Sequence, residues 1–120
     1  MILVDTSIWL DHLGSAIERV NELVLECKIA QHPYVTDEIA VGSLPLRERT
    51  IRALRGLPQI APVSDDDFHA FMDETKLFGT GLGFVDIHLL AAAAMARATV
   101  WTRDRRMLLQ AERLNLSFEP

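Results

Sequence analysis

Four carboxylates stand where an alternating strand–helix chain would bring them to one edge: Asp5, Glu38, Asp86 and Asp104. Asp5 ends the apolar run from Met1 to Val4, and Asp104 comes two residues after a similar run, Val100 to Thr102. Glu38 falls in the expected first turn of the helix after a second strand, and Asp86 in the first turn of the most apolar helical segment. Any one alone is accounted for by the positive end of a helix dipole, which favours a carboxylate by ~0.3–1 kcal/mol. Four at one edge repel each other, and partial burial adds a desolvation penalty. No Lys sits beside any of them. A hard divalent cation, Mg²⁺ or Mn²⁺, is then the natural counter-charge, since it prefers oxygen ligands and keeps several waters. Thr6 and Ser7 add hydroxyls next to Asp5 that could orient a metal-bound water. A cation held by few protein ligands suits phosphodiester chemistry, and one ion or two would both fit four carboxylates.

The elements that must position these groups read as a βα alternation. Met1 to Val4 is a short apolar run, as a strand covered on both faces should be. Thr6 or Ser7 can cap a helix that Gly14 ends, and a second helix is expected from Ala16 to Cys27. Lys28 to Gln31 reads as a strand closed by Pro33, with Thr36 capping a short helix after it. Helices follow at Leu46 to Arg55, from Ser64 to near Phe78 with Asp67 completing a capping-box-like start, at Phe84 to Ala96, and at Arg105 to Arg113. Gln59 to Pro62, Val100 to Thr102 and Leu116 to Phe118 complete the strands. The expected fold class is α/β, with a short, mainly parallel sheet of four to five strands and helices on both faces. In such sheets ligands bind beyond the carboxyl ends of the strands, at the switch point of strand order.

The composition bounds what this frame can be. The 120 residues carry 12 Lys+Arg and 17 Asp+Glu, a net charge of −5, with 49% hydrophobic and 24% charged residues. Those values exclude a disordered chain, a disulfide scaffold and a fibrous repeat, and residues 1–120 are expected to form one domain. Cys27, the only cysteine, lies on the stripe Ile17, Val20, Val24, Cys27 and reads as a core thiol in a reducing compartment. The N-terminus has no basic or long apolar signal region, and the run Leu89 to Ala96 is far short of the ~20 residues that span a bilayer. A soluble, cytoplasmic protein is expected, with no membrane partner.

Basic residues supply a possible rim for a nucleic-acid backbone. Arg47, Arg49, Arg52 and Arg55 fall in one helix, and Arg97, Arg103, Arg105 and Arg106 cluster around Asp104. Arg47, Arg103, Arg105 and Arg106 are the candidates for phosphate contact. A solvated helix face with a pair such as Glu48–Arg52 is the plainer account of the first cluster.

With these residues in view, the sequence resembles the PIN-domain ribonucleases, and more closely the VapC toxins of bacterial toxin–antitoxin pairs. The resemblance rests on Met1-Ile-Leu-Val-Asp-Thr-Ser-Ile-Trp-Leu-Asp-His12, on His32-Pro33 with Glu38-Ile-Ala-Val-Gly42, on Gly81-Leu-Gly-Phe-Val-Asp-Ile-His-Leu-Leu90, and on Trp101-Thr-Arg-Asp-Arg-Arg106. All four blocks occur in the family's order and spacing across the chain. The resemblance implies a PIN fold and a Mg²⁺- or Mn²⁺-dependent endoribonuclease with Asp5, Glu38, Asp86 and Asp104 as its acidic quartet. It makes Asp5 and Asp86 direct metal ligands, with Glu38 and Asp104 completing the site directly or through water. It also implies a homodimer, a small cognate antitoxin (VapB-like) that covers the site, and structured RNA, tRNA above all, as substrate.

Other conspicuous residues have plainer readings. Trp9 and Trp101 are expected in the core. His88 lies about 200° around its helix from Asp86, so it is structural or RNA-facing and not a ligand. His12 and His32 read equally as hydrogen-bonded fold residues or general acids. Leu10, Leu13, Ile17 and Val20 form either core or a groove for an antitoxin helix. A receiver-type phosphoacceptor would need an Asp ending the third strand, where Ala61-Pro62-Val63 stands, and a late Lys, yet none follows Lys76. An aspartyl-phosphate enzyme would need an Asp at position 7, which is Ser7. A metal-binding but catalytically silent PIN module remains the alternative.

Overall fold

The computed structural model describes residues 1–120. Three parallel strands form the sheet: β1 (Ile2–Val4), β2 (Ile29–Ala30) and β3 (Thr99–Trp101), in the order β2-β1-β3. Seven helices surround it: α1 (Thr6–Gly14), α2 (Glu18–Leu25), α3 (Pro33–Ala40), α4 (Arg47–Arg55), α5 (Asp65–Thr75), α6 (Phe84–Ala96) and α7 (Arg105–Arg113). The path from β1 to β2 leaves to one side and the return to β3 to the other, so right-handed crossovers place helices on both faces. The order of strands reverses at β1, whose carboxyl end is Asp5.

Four to five strands were expected and three form. Gln59 and Ser117 each make one isolated parallel bridge, to Gln31 and Val100. The cause is the same at both edges. Ile60 N–H donates to Gln31 O at 2.8 Å, and Phe118 N–H to Val100 O at 2.9 Å. The next inward-facing N–H would belong to residue 62 or 120, and both are proline. Without that donor neither ladder extends.

Two helix caps also differ from expectation. Asp5, not Thr6 or Ser7, is the N-cap residue of α1, its carbonyl accepting from Ile8 N–H at 3.1 Å. His32, not Thr36, caps α3, its Nδ1 accepting from Tyr34 N–H at 3.0 Å, while Pro33 fills the first helical position. Thr36 is buried inside α3, where its hydroxyl accepts from Gln31 Nε2, and Gln31 Oε1 accepts from the Trp9 indole. That buried chain fastens α1, β2 and α3 together. Ser64 caps α5 as expected, accepting from Asp67 N–H at 3.1 Å.

The core is one cluster of 22 buried residues, including Trp9 and Trp101 as expected. Helix α6 buries every residue from Ile87 to Ala93, consistent with its apolar sequence. Cys27 is not in this core. Helix α2 stops at Leu25, Cys27 adopts a left-handed backbone with φ 57°, and its side chain is exposed. The stripe continues only as far as buried Val20 and half-buried Ile17 and Val24. Leu10 and Leu13 are exposed, at 52% and 44%. No helix is long and apolar enough to cross a membrane.

Candidate active site

The register Val4↔Trp101 sets Asp5 and Thr102 side by side where β1 and β3 end. Asp5 is buried, and its Oδ2 accepts from Ser7 Oγ at 2.9 Å and from Thr102 Oγ1 at 2.8 Å. The Thr102 hydroxyl accepts in turn from Asp104 N–H at 3.0 Å, and Ser7 Oγ accepts from Arg103 N–H at 3.2 Å. Two hydroxyls thus clamp one oxygen of Asp5 and join it to the turn that leads into α7.

Each remaining carboxylate is held by its own element. Asp104 is the N-cap of α7, its Oδ1 accepting from Arg106 N–H at 2.9 Å and Met107 N–H at 3.1 Å. Half-buried Asp86 is in the first turn of α6, its Oδ2 accepting from Gly83 N–H at 3.2 Å. Glu38 is in the second turn of α3, not the first as expected, because α3 starts at Pro33. Its Oε1 accepts from Thr6 Oγ1 at 2.9 Å. The hydroxyls of Thr6 and Ser7, expected to orient a water, are spent on orienting Glu38 and Asp5.

These groups share one electrostatic field. Asp86 binds its proton more tightly than an ordinary aspartate, chiefly through burial and further through the charges of Asp5 and Asp104, with the Gly83 N–H opposing. Glu38, although exposed as a residue, is shifted the same way by desolvation of its carboxyl group and by Asp5 and Asp86, against the Thr6 hydrogen bond. None of the four forms a salt bridge. The side chains do not close into a cage: no three His, Cys, Asp or Glu residues stand at metal-holding spacing. Uncompensated, hydroxyl-oriented carboxylates at this spread suit a hard cation that takes few direct protein ligands and completes its shell with water.

The arginines divide. Arg105 and Arg106 are exposed and line an open cleft of about 330 Å³ with Gly81, Leu82, Asp86 and Asp104. Arg103, expected to be free for phosphate, pairs with Asp11 of α1. Both partners are about half exposed, so the pair adds only ~0–1 kcal/mol. Arg47 Nε donates at 2.8 Å to the carbonyl of Ala40, closing the end of α3. With Arg52 and Arg55 it lines a separate groove, and the Glu48–Arg52 pair is not formed.

His12, His32 and His88 are each engaged within the fold. His12 Nδ1 accepts from Ile17 N–H at 2.9 Å. His88 is buried, so it does not face RNA; its ring stacks on Phe68 at 4.3 Å and 13°. Sequence reasoning missed Thr102 as part of the site. Its signal was available: Thr102-Arg103-Asp104 repeats, at the end of β3, the hydroxyl-and-carboxylate pattern of Asp5-Thr6-Ser7 at the end of β1.

No protein-family model matches the chain. It is 40% identical over 108 residues to Ribonuclease VapC32 of Mycobacterium tuberculosis, covering 89% of this chain and 87% of that protein. A solved toxin–antitoxin complex from Klebsiella pneumoniae aligns with a TM-score of 0.63 and 27% identity over 87% of each chain. PAE2754 from Pyrobaculum aerophilum aligns at the same TM-score with 18% identity, over 94% of this chain and 90% of that one, and shares the fold. The likeness to a ribonuclease thus runs over most of both chains, on a parallel α/β fold shared with the two solved structures. The chain belongs to the VapC family of ribonucleases.

Proposed function

We propose that this chain is the toxin of a toxin–antitoxin pair, a divalent-metal-dependent endoribonuclease that cleaves structured RNA, tRNA above all, in the cytoplasm and so halts translation. The observation that carries this reading is the row of Asp5, Glu38, Asp86 and Asp104 without a cationic side-chain partner, in a chain 40% identical to Ribonuclease VapC32. The Klebsiella pneumoniae complex supports a small protein antitoxin as partner. A homodimer is the expected assembly.

Asp5 and Asp86 would hold Mg²⁺ or Mn²⁺ directly, with Glu38 and Asp104 ligating directly or through water. When bound, the cation activates a water and offsets negative charge on the phosphoryl oxygens. The chain's own residues do the rest. Ser7 and Thr102 fix Asp5, Thr6 fixes Glu38, and the Gly83 N–H fixes Asp86, so the carboxylates meet the substrate already oriented. Arg105 and Arg106, beside Asp86 and Asp104, hold the RNA backbone.

The test is incubation of the purified chain with total tRNA and Mg²⁺ or Mn²⁺, with and without EDTA, beside Asp5→Asn and Asp86→Asn. Discrete fragments that need both the metal and the two aspartates are expected. Full cleavage by both variants, or cleavage indifferent to EDTA, refutes the site. A folded, antitoxin-free chain that cuts no RNA favours the silent module.

A further inference from the structure

An aromatic pocket adjoins the carboxylate row, and nothing in the catalytic account uses it. It opens between α3 and α6, holds about 310 Å³, and is lined by Tyr34, Asp37, Glu38, Val41, Phe84 and Val85. The rings of Tyr34 and Phe84 lie 6.5 Å apart and within 23° of parallel. Both are braced from beneath by His88, edge-on at 5.2 Å to Tyr34 and 4.5 Å to Phe84, while Phe68 packs against Phe84 at 5.3 Å. Yet Phe84 is 59% exposed and Val41 88% exposed. Leaving a phenylalanine and a valine in water forgoes hydrophobic stabilisation, and Phe84 opens the very turn of α6 that carries Asp86.

Charge narrows the occupant. Asp37 and Glu38 at the pocket's edge repel a phosphate, so the pocket suits a flat, uncharged group. The cleft that Arg105 and Arg106 line includes Asp86, one residue along from the pocket's Val85. Asp86 therefore stands between a basic cleft fit for the backbone and an aromatic pocket fit for a base.

We infer that the pocket binds one unpaired nucleobase of the RNA substrate, next to the scissile phosphodiester, by stacking on Phe84 with Tyr34 as the flanking ring. The inference rests on the ribonuclease reading above and adds a substrate requirement to it. A base inside a duplex has both faces covered, so the pocket admits only one splayed from a loop, bulge or single strand. Stacking on an aromatic side chain is tolerant of base identity, so this pocket selects for the unpaired state more than for sequence.

The test uses the Asp5→Asn chain with Mg²⁺, which binds without cutting. The probe is a seven-unit ribose-phosphate strand that is abasic except for one 2-aminopurine at its centre, compared with the same strand wholly abasic. Binding is expected to quench the 2-aminopurine, and the abasic strand to bind about 5- to 150-fold more weakly. Adding Phe84→Leu, which keeps apolar volume against Phe68 and His88, should weaken the 2-aminopurine strand by a like factor and remove the quench. It should leave the abasic strand's affinity unchanged, and Phe84→Tyr should restore both signals. Absence of quenching, Phe84→Leu binding as tightly as its parent, or equal weakening of both strands overturns the inference; the second result would assign the patch to a protein contact. Wild-type cleavage of tRNA is measured alongside. Cleavage without quenching removes the base pocket and leaves the nuclease, whereas quenching without cleavage removes the nuclease and leaves the pocket.

Discussion

Thr102→Val is the sharpest perturbation of the site's scaffold. The side chain is buried, and its hydroxyl does two things at once: it donates to Asp5 Oδ2 at 2.8 Å and accepts from Asp104 N–H at 3.0 Å. Valine keeps the shape and deletes both bonds. A hydrogen bond to a charged acceptor contributes about 1.5–3 kcal/mol, and the stranded Asp104 N–H adds to the loss. The expected destabilisation is about 2–3 kcal/mol, against a total of roughly 6–18 kcal/mol for a chain of this length. The variant therefore stays folded at 25 °C, with its midpoint lowered by about 6–15 °C. Cleavage falls tenfold or more, because Asp5 keeps only the Ser7 bond to orient it. Urea unfolding at constant slope gives the stability change. A cycle with Asp5→Asn isolates the charge-assisted part, expected at about 1 kcal/mol or more. Thr102→Ser retains the hydroxyl and should recover most of both losses. If the valine variant unfolds within about 0.5 kcal/mol of wild type and cleaves equally well, or if serine is as damaging as valine, the clamp has no such role.

Two further outcomes follow from the buried and repelled groups. Burial, then the neighbouring His88, pushes His32 down to about 4, so between pH 6.5 and 4 the unfolded chain takes up a proton that the folded one refuses. Stability should be intact above pH 6.5 and lower by about 3 kcal/mol near pH 4. His32→Asn, which can still cap α3, should flatten the urea-midpoint profile between pH 7.5 and 4.5, and parallel profiles would show that His32 is not the group responsible. Glu38 is shifted upward, so its ionised form costs stability at neutral pH and that cost vanishes as pH falls through its folded value. Without metal, Glu38→Gln should be more stable than wild type at pH 7.5 and no different near pH 4; a less stable Gln variant at pH 7.5 contradicts the repulsion.

Much of this molecule is local, and local features were legible. Apolar runs of strand length, Ser64 before Asp67 and the all-round apolar α6 sequence each act within a few residues, so the β1, α5 and α6 positions could be read directly. Asp5, Asp86 and Asp104 could be placed for the same reason, since strand ends and helix starts are set by nearby sequence, whereas Glu38 fell one turn later than expected. Where a boundary depended on backbone competition, expectation slipped by a turn. Pro33 started α3 ahead of Thr36, and the left-handed backbone at Cys27 took the thiol off its stripe into water. Prolines 62 and 120 ended two ladders that alternation alone would have extended.

What the chain by itself determined is therefore the α/β alternation and the strand-end and helix-start placement of Asp5, Asp86 and Asp104, which depend on periodicity, caps and chain order. Tertiary structure decided which groups meet. The Asp5–Thr102 bond joins residues 97 apart in sequence, Arg103 finds Asp11 across 92, and Thr6 reaches Glu38 across 32. It also turned His88 inward onto Phe68 and left Phe84 facing water beside Asp86. Hydrogen bonds and ring contacts act over only a few ångströms, so their partners exist only once the sheet register and helix packing have brought distant segments together.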